Sequence, residues 1–308
     1  MNHSYLVSVR LMVYNHESFI DQAIEGILKQ KTNFLVEVVI GDDFSTDKSL
    51  EIIRKYQNTA TVHFKILERK VGDDYWKNRQ KLGRLHNFYN IIENCTAKYI
   101  ALLDGDDYWT DPFKLQKQVD FLKANPDYVG CFHKIKALLG ENLFEDTGIE
   151  KRFEKLVDKN RITRLDLLEQ GNFIHTCSFM FRNEPIVLSN EMIMSPVGDI
   201  MLFLELAKIG SLKRIDEYMA VYRRGTGSYS SLSIVEMCKK KMQYQMCILS
   251  SLTDEVERKL FLKINMDLIE DFQKMVRFEG KSVFRKKIHS TKILIFKFIR
   301  KLNKKIKS

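Results

Sequence analysis

Residues 98–115 constrain this chain more than any other stretch, because they join a short apolar segment to a cluster of carboxylates. The apolar segment, residues 99–103, predicts a buried strand. Asp104, Asp106 and Asp107 follow it directly. Three carboxylates at the end of a buried strand repel one another and lose hydration, so folding alone does not explain them. A divalent cation would relieve that cost, because hard cations bind carboxylate oxygens.

The same stretch also allows a purely structural interpretation. Acidic turns often precede helices, and Asp111 followed by Pro112 is typical of a helix start. Taken alone, the stretch therefore leaves two alternatives open, which are a solvated acidic turn that caps the next helix and a cation site. The choice between them depends on the rest of the chain.

Four apolar segments alternate with amphipathic segments in the first part of the chain. The apolar segments cover residues 5–12, 34–40, 62–67 and 99–103, and helical patterns separate them. This order, with its short connections, predicts an α/β fold in which a parallel sheet is covered by helices on both faces. In such sheets, ligands bind beyond the carboxyl ends of the strands.

Polar or acidic residues follow three of these predicted strands. Tyr14 and Asn15 follow the first, Asp42 and Asp43 follow the second, and the carboxylates of residues 104–107 follow the fourth. Because the carboxyl ends of parallel strands share one edge of the sheet, we expect these side chains at one rim. Two carboxylate clusters on one rim favour a ligand site over two unrelated capping turns.

The glycine-rich loops that bind phosphate in other α/β proteins are absent from the sequence. No GxxxxGK[ST] occurs, and no GxGxxG follows the first strand. A phosphate ligand would therefore be held through a metal ion and basic side chains. Arg84, just before the third predicted helix, is a candidate for that role, and the alternative is a solvated arginine at a helix start.

The second half of the chain is less regular. Residues 128–132 and 219–223 predict strands, and residues 173–181 predict another, which contains His175. His175 either lines a pocket or lies in the core with its polar atoms satisfied. Residues 136–170 are mixed and charged, and their pattern predicts no clear order of elements.

A strongly helical pattern begins at Asp199 and ends at Gly210. Asp199 is either an N-cap aspartate or a general base, and its spacing alone does not separate the two. Residues 225–231 are rich in glycine and serine and form either a lid over a site or a plain linker. Residues 234–278 predict two helices with a break near residues 251–254.

The net charge of +10 is concentrated at one end of the chain. Residues 281–308 contain eleven Lys or Arg and no Asp or Glu, so the rest of the chain holds 39 basic and 40 acidic side chains. A nucleic-acid partner would need basic residues across a folded face, so we expect none. Apolar residues recur in the tail at helical spacing, which predicts a basic amphipathic helix on an anionic membrane surface; the alternative is a solvated or disordered tail.

Cysteine usage and the N-terminus indicate a cytosolic protein. The five cysteines include no CxxC pair and read as reduced thiols. The N-terminus runs directly into a strand pattern, and no run approaches the roughly 18 apolar residues of a spanning helix. We therefore expect a cytoplasmic protein that is peripheral on the inner membrane surface through its tail.

Six segments of the chain resemble bacterial family 2 glycosyltransferases. They are VSVRLMVYNHESFI, VVIGDDFSTDKSLEII and KYIALLDGDDYWTDPFKLQKQVDFLKANPDY, then HTCSFMFRN, GDIMLFLELAKIG and MAVYRRGTGS. The resemblance implies a GT-A fold, in which a Rossmann-like and mostly parallel sheet carries helices on both faces. It also implies a glycosyltransferase domain (1–231), with a nucleotide-sugar half (1–130) and an acceptor half (131–231). Beyond the resemblance, the sequence predicts a helical extension (232–280) and the basic tail (281–308).

The activity implied by this resemblance is an inverting transfer from a nucleotide-sugar, most often a UDP-sugar, to a hydroxyl group of a saccharide. The implied cofactor is Mn²⁺ or Mg²⁺. Together with the basic tail, the resemblance implies an acceptor in the synthesis of a bacterial surface polysaccharide or of a lipid-linked oligosaccharide.

The resemblance also implies roles for single residues. Asp199 would be the catalytic base, Arg84 would approach the diphosphate, and Tyr14 and Asp43 would contact the nucleobase. The wider nucleotide-sugar site would comprise Val13, Tyr14, Asn15, Asp43, Arg84, Asp104, Gly105 and Asp106. The metal ligands would be Asp106 and either Asp107 or Asp104, and the acceptor contacts would be Trp109 and His175.

Two other functions fit parts of the sequence. A nucleotidyltransferase of sugar activation would have a glycine-rich, basic loop after the first strand, and residues 14–17 do not form one. A non-enzymatic module that binds membranes or nucleic acid would rely on the basic tail. The carboxylates at two strand ends, together with Asp199, favour an enzyme over such a module.

Overall fold

The structure is a computed structural model, and it describes residues 5–184, 193–226 and 234–265. The chain divides into two compact units, Met1–Glu257 and Arg258–Ser308. In the second unit the described residues, 258–265, are helical. The predicted basic tail and most of the predicted glycine- and serine-rich segment lie outside the described residues, so those predictions and the predicted boundaries at 231 and 280 stay predictions.

Four parallel strands form the first half of the sheet, as the sequence predicts. They are β1 (Val7–Val13), β2 (Val36–Asp42), β3 (Val62–Ile66) and β4 (Tyr99–Asp104), and they lie in the order β3-β2-β1-β4. The connecting helices are α1 (Ile20–Leu28), α2 (Ser49–Ile53), α3 (Asp74–Leu82) and α4 (Leu85–Glu93).

The second half of the chain contributes a further set of elements. They are β5 (Tyr108–Trp109), α5 (Lys114–Ala124), β6 (Tyr128–Leu139), β7 (Asn142–Glu145), α6 (Thr147–Phe153), α7 (Arg164–Gln170), β8 (Met180–Arg182), α8 (Asp199–Leu206), β9 (Ser211–Arg223) and α9 (Ile234–Ser251). These strands extend the same sheet from β4 in the order β8, β6, β9 and β5, with β7 paired to β6. Among the described residues, β6 and β9 pair in parallel and the other pairings of this half are antiparallel.

The predicted strand at residues 173–181 is mostly wrong. The structure has a single 3₁₀ turn at Thr176–Ser178, followed by the short strand β8. The turn forms because the hydroxyl of Ser178 donates to the carbonyl of His175 and the Trp109 indole donates to the carbonyl of Cys177. Apolar composition alone does not distinguish such a buried turn from a buried strand.

The predicted break in the C-terminal helical region is confirmed within the described residues. Helix α9 ends at Ser251, residues 252–254 are not helical, and helix resumes at residue 255. By contrast, α3 occupies a polar stretch for which the sequence predicted no helix, and β9 begins eight residues before the predicted strand at 219–223.

The sheet register gathers the carboxyl ends of three strands at one edge. Met12 of β1 lies beside Gly41 of β2 on one side and Asp104 of β4 on the other, and Val13 lies beside Asp42. Apolar side chains of α1 pack with one face of β1 in the main core cluster. On the other face, α4 contacts β1 and β2. The predicted site residues that follow β1, β2 and β4 therefore lie at the carboxyl edge of the sheet.

Candidate active site

Asn15 joins the loops that follow β1 and β2. Its φ angle is +56°, a left-handed conformation that Asn adopts more readily than most residues. Its side-chain oxygen accepts from the Thr46 amide at 2.8 Å, and its own amide donates to the Ser45 hydroxyl at 2.9 Å. Tyr14 is consequently turned outward, with 52% of its surface exposed. Val13 is buried, and its carbonyl accepts from the Asp43 amide at 2.9 Å.

The carboxylate of Asp43 lies at the base of an aromatic and basic cluster. It accepts from the Tyr75 hydroxyl at 2.8 Å and from Arg79 Nε at 2.8 Å. The guanidinium of Arg69 lies 3.6 Å from the centre of the Tyr75 ring, and the His86 ring stacks with the same Tyr75 ring. Both Tyr75 and Arg79 belong to α3, so sequence analysis missed them as site residues. The sequence contains one indication of α3, which is the N-cap residue Asp73. Its carboxylate accepts from the Trp76 amide.

Asp104 and Asp106 occupy the turn after β4 in different environments. Asp104 is partly exposed and accepts from Arg10 Nη1 at 2.6 Å. Asp106 is buried, and its Oδ2 accepts from the Thr226 hydroxyl at 3.0 Å. Burial raises the pKa of Asp106, and the charge of Asp104 adds to that shift. Gly105 is required between them, because a Cβ there would lie 2.7 Å from His16 Nδ1.

Asp107 points into the protein rather than along the rim. It is buried, and its Oδ1 accepts from the Arg223 amide at 2.8 Å. Burial raises the pKa of Asp107 well above its usual range, and the neighbouring carboxylates Asp106 and Asp104 reinforce the shift. The Arg223 guanidinium donates to the Asp106 carbonyl at 2.6 Å, so this strand residue of β9 fixes the backbone of the acidic turn.

The turn contains carboxylate oxygens, which are the ligand atoms that a hard cation prefers. These oxygens alone do not complete the coordination of a metal ion. Across residues 5–184, 193–226 and 234–265, no group of three or more His, Cys, Asp or Glu side chains could hold a metal ion. The Oδ1 atom of Asp106 lies 3.9 Å from His16 Nε2. Asp106 and Asp104 could therefore hold a Mn²⁺ or Mg²⁺ ion whose other ligands are water and substrate phosphate oxygens, the usual arrangement for Mg²⁺.

Asp199 is the first residue of α8, and the structure does not use it as an N-cap, since that position belongs to Gly198. Its Oδ2 accepts from the Thr176 hydroxyl and from Asn172 Nδ2, each at 3.1 Å. Its Oδ1 accepts from the Ile200 amide at 2.7 Å. Burial raises the pKa of Asp199 despite these hydrogen bonds. A carboxylate that is oriented by fixed donors and has a raised pKa suits a general base.

Arg84 lies at the start of α4 and contacts the segment that precedes α8. It occupies the N-cap position of α4, and its Nη2 donates to the Pro196 carbonyl at 2.8 Å, three residues before Asp199. Burial lowers the pKa of Arg84, and the charge of Arg79 contributes to the same shift. The arginine therefore connects the start of α4 to the segment that leads into α8.

The two predicted acceptor contacts differ in their accessibility. Trp109 is only 4% exposed, its indole donates to the Cys177 carbonyl at 2.8 Å, and the Lys114 ammonium lies over its ring. This burial gives no support to an acceptor contact by Trp109. His175 is partly buried, with its Nε2 3.2 Å from Asp146 Oδ2.

Comparison with known proteins identifies relatives for most of the described chain. A model of the family described as Glycosyl transferase family 2 matches residues 8–186. An uncharacterized protein of Mycobacterium tuberculosis is 34% identical over 218 residues, which are 71% of this chain and 58% of that protein. The chain therefore matches less than two thirds of the length of that relative. Bacillus subtilis TuaG, named for teichuronic acid biosynthesis, is 30% identical over 118 residues, covering 38% of this chain and 42% of TuaG.

Two solved structures share the fold. S. aureus TarS in complex with UDP has a TM-score of 0.56 at 17% identity, covering 84% of this chain and 70% of the TarS chain. The mannosyltransferase PcManGT of Pyrobaculum calidifontis, in complex with GDP-Man and Mn²⁺, has a TM-score of 0.57 at 13% identity, covering 96% and 81%. The predicted GT-A fold is thereby confirmed. No helix in the described ranges is both long and apolar enough to cross a membrane.

Proposed function

The chain belongs to glycosyl transferase family 2, and from this membership we propose that it is an inverting, metal-dependent transferase. It would move a sugar from a UDP-sugar to a hydroxyl group of a saccharide. The observation that supports this proposal best is the carboxylate of Asp199, which Thr176, Asn172 and the Ile200 amide hold in a fixed orientation. Burial raises the pKa of this carboxylate, as a general base requires.

The proposed mechanism uses one base and no protein nucleophile. The acceptor hydroxyl attacks the anomeric carbon while Asp199 takes its proton, and the bond from that carbon to the diphosphate oxygen breaks. Direct displacement inverts the configuration at the anomeric carbon. A divalent cation at Asp106 and Asp104 would stabilise the negative charge that develops on the diphosphate. Asp104 is the better second ligand, because Asp107 is buried and occupied by the Arg223 amide.

The cluster around Asp43 supports uridine as the nucleoside. Its carboxylate accepts hydrogen bonds, and uracil presents an N–H group between two carbonyl groups. The Arg79 guanidinium beside it could donate to one of those carbonyl oxygens, and Tyr14 is exposed enough to cover the ring. TarS binds UDP on the same fold, which agrees with this choice.

The proposal extends to the acceptor. The relative named for teichuronic acid biosynthesis supports a bacterial surface polysaccharide or a lipid-linked precursor of one. Attachment to the inner membrane surface through residues 281–308 belongs to the same proposal, because those residues carry all of the net positive charge.

A donor panel tests the proposal. Purified full-length protein is incubated with UDP-, GDP-, dTDP- and CMP-sugars in the presence of Mn²⁺, Mg²⁺ or EDTA, and nucleotide release is measured. We expect metal-dependent release of UDP from at least one UDP-sugar. Release that is unaffected by EDTA would remove the metal from the proposal, and release of GDP alone would remove uridine.

A further inference from the structure

Arg10 is the largest charged side chain buried in the centre of the sheet. It lies in the middle of β1, between Val39 of β2 and Leu102 of β4, and its exposed fraction is 0%. Its guanidinium carbon lies 4.5 Å from the centre of the Phe88 ring. Arginine is rarely buried to this degree unless it is paired.

Its pairing is limited to one atom. Nη1 donates to Asp104 Oδ1 at 2.6 Å, whereas Nε and Nη2 are buried without a hydrogen-bond partner in the part of the chain that the structure describes. Each such N–H group that loses water without gaining a partner destabilises the fold. Replacing a buried ion pair by apolar side chains is often neutral or stabilising. Stability therefore gives no reason for an arginine at this position.

The partner of Arg10 gives a functional reason. Asp104 is 25% exposed and ends β4 at the carboxyl edge, so it faces the proposed donor site while Arg10 remains inside the sheet. The turn also contains Asp106 and Asp107, and a nucleotide-sugar adds the negative charge of its diphosphate. A cation beneath the turn reduces the repulsion between those carboxylates and the donor.

We propose that Arg10 is a positioning residue for donor binding that acts through Asp104. It holds Oδ1 of Asp104, which directs Oδ2 towards the ribose or the metal, and its charge offsets one of the three carboxylates in the turn. This inference rests on the proposed function, because it requires a nucleotide diphosphate at the acidic turn. It predicts an effect on donor affinity and KM rather than on kcat.

The test combines binding and stability measurements on the full-length protein. UDP is titrated calorimetrically with Mn²⁺ present into wild type, Arg10→Met, Asp104→Asn and the double variant, and the melting temperature of each protein is recorded. We expect Arg10→Met to weaken UDP binding about tenfold, measured at a temperature at which the variant is folded. Its melting temperature should fall because one partner of the ion pair is removed, and it should recover in the double variant, where both are replaced. The double variant should bind no more weakly than Asp104→Asn alone, since the two residues act as one unit.

Two further variants sharpen the test. Arg10→Lys retains the charge and should recover part of the UDP affinity lost in Arg10→Met. Arg54→Met removes an exposed arginine that pairs with Glu68, and it should leave UDP affinity unchanged. If Arg10→Met fails to fold, Arg10→Lys replaces it in the cycle with Asp104→Asn.

The outcomes separate this inference from the proposed function. Wild-type affinity in folded Arg10→Met, or additive losses in the double variant, would overturn the role of Arg10 while leaving the transferase intact. A wild-type protein that binds neither UDP nor another nucleotide diphosphate would overturn the proposed function and this inference with it.

Discussion

Replacing Asp199 by Asn gives the most direct test of the proposed mechanism. The substitution keeps the shape of the side chain but removes its capacity to accept a proton. An asparagine oxygen can still accept from the Ile200 amide, as Asp199 Oδ1 does at 2.7 Å. The asparagine NH₂ group would then face Thr176 and Asn172, which donate to Oδ2.

The structure sets the expected size of each effect. The Thr176 hydroxyl can rotate to accept from the new NH₂ group, but the Asn172 amide would meet it donor to donor, a loss of about 1 kcal/mol. Relief of a buried charge acts in the opposite direction, because burial is what raises the pKa of Asp199. The free energy of unfolding should therefore change by no more than about 1 kcal/mol. Loss of a general base should lower kcat by about 10²- to 10⁴-fold.

The assay compares UDP release with UDP binding in Asp199→Asn and wild type. Release should fall by the factor above, whereas the dissociation constants of UDP and Mn²⁺ should stay within about twofold. The pH profile of wild-type kcat/KM adds an independent check. Because the base works deprotonated and its pKa is raised, activity should fall as pH drops through a value above the usual 3.8 of aspartate. Transfer at the wild-type rate by Asp199→Asn would remove this residue from the mechanism.

Three other substitutions test the surroundings of the site. Gly105→Ala should lower the free energy of unfolding by about 1–3 kcal/mol and weaken UDP binding, because its Cβ would clash with His16; Gly148→Ala, where nothing lies closer than 3.4 Å, is the stability control. Arg79→Gln should weaken UDP binding about tenfold by calorimetry, since Arg79 donates to Asp43, and equal affinity would exclude it from the nucleotide site. Burial lowers the pKa of Lys114 to about 7, so the unfolded chain holds this proton at pH values where the folded chain has released it. Stability should therefore rise between pH 7 and 10 by at most about 1.4 kcal/mol per pH unit, and denaturant unfolding of Lys114→Met should lose that slope.

The sequence predicts the first half of this fold because local patterns there agree with the tertiary structure. The strands β1 to β4 are apolar runs between amphipathic helices, and their carboxyl ends must share an edge once the sheet is parallel. That argument places Asp43, Asp104 and Asp106 on one rim without any knowledge of distances. It fails for α3, in which no residue is buried, so the helix has no apolar face to reveal it. Tyr75 and Arg79 were missed for this reason.

Other parts of the site depend on pairs that are far apart in the sequence. Arg10 and Asp104 are 94 residues apart, and Arg223 and Asp107 are 116 residues apart. The spacing of apolar residues gives no information about such pairs. From the sequence, an arginine within an apolar segment is expected to be exposed rather than buried. The sequence also does not predict that Asp106 and Asp107 have different environments, because the difference depends on which carboxylate accepts from the backbone amide in β9.

These long-range pairs also bear on whether the acidic turn could work without the second half of the chain. Residues 98–115 contain all three carboxylates, yet several of the hydrogen bonds that shape the turn come from later residues. Thr226 donates to Asp106, and Arg223 donates to both the Asp106 carbonyl and the Asp107 carboxylate. Without those donors, Asp107 would be a buried carboxylate with no backbone partner, and the turn would open towards water to relieve it. The proposed metal and nucleotide positions therefore depend on β9, so a fragment that ends at residue 130 would contain the motif but should bind the donor poorly. The proposed donor site therefore depends on both halves of the sheet, because β9 belongs to the proposed acceptor half.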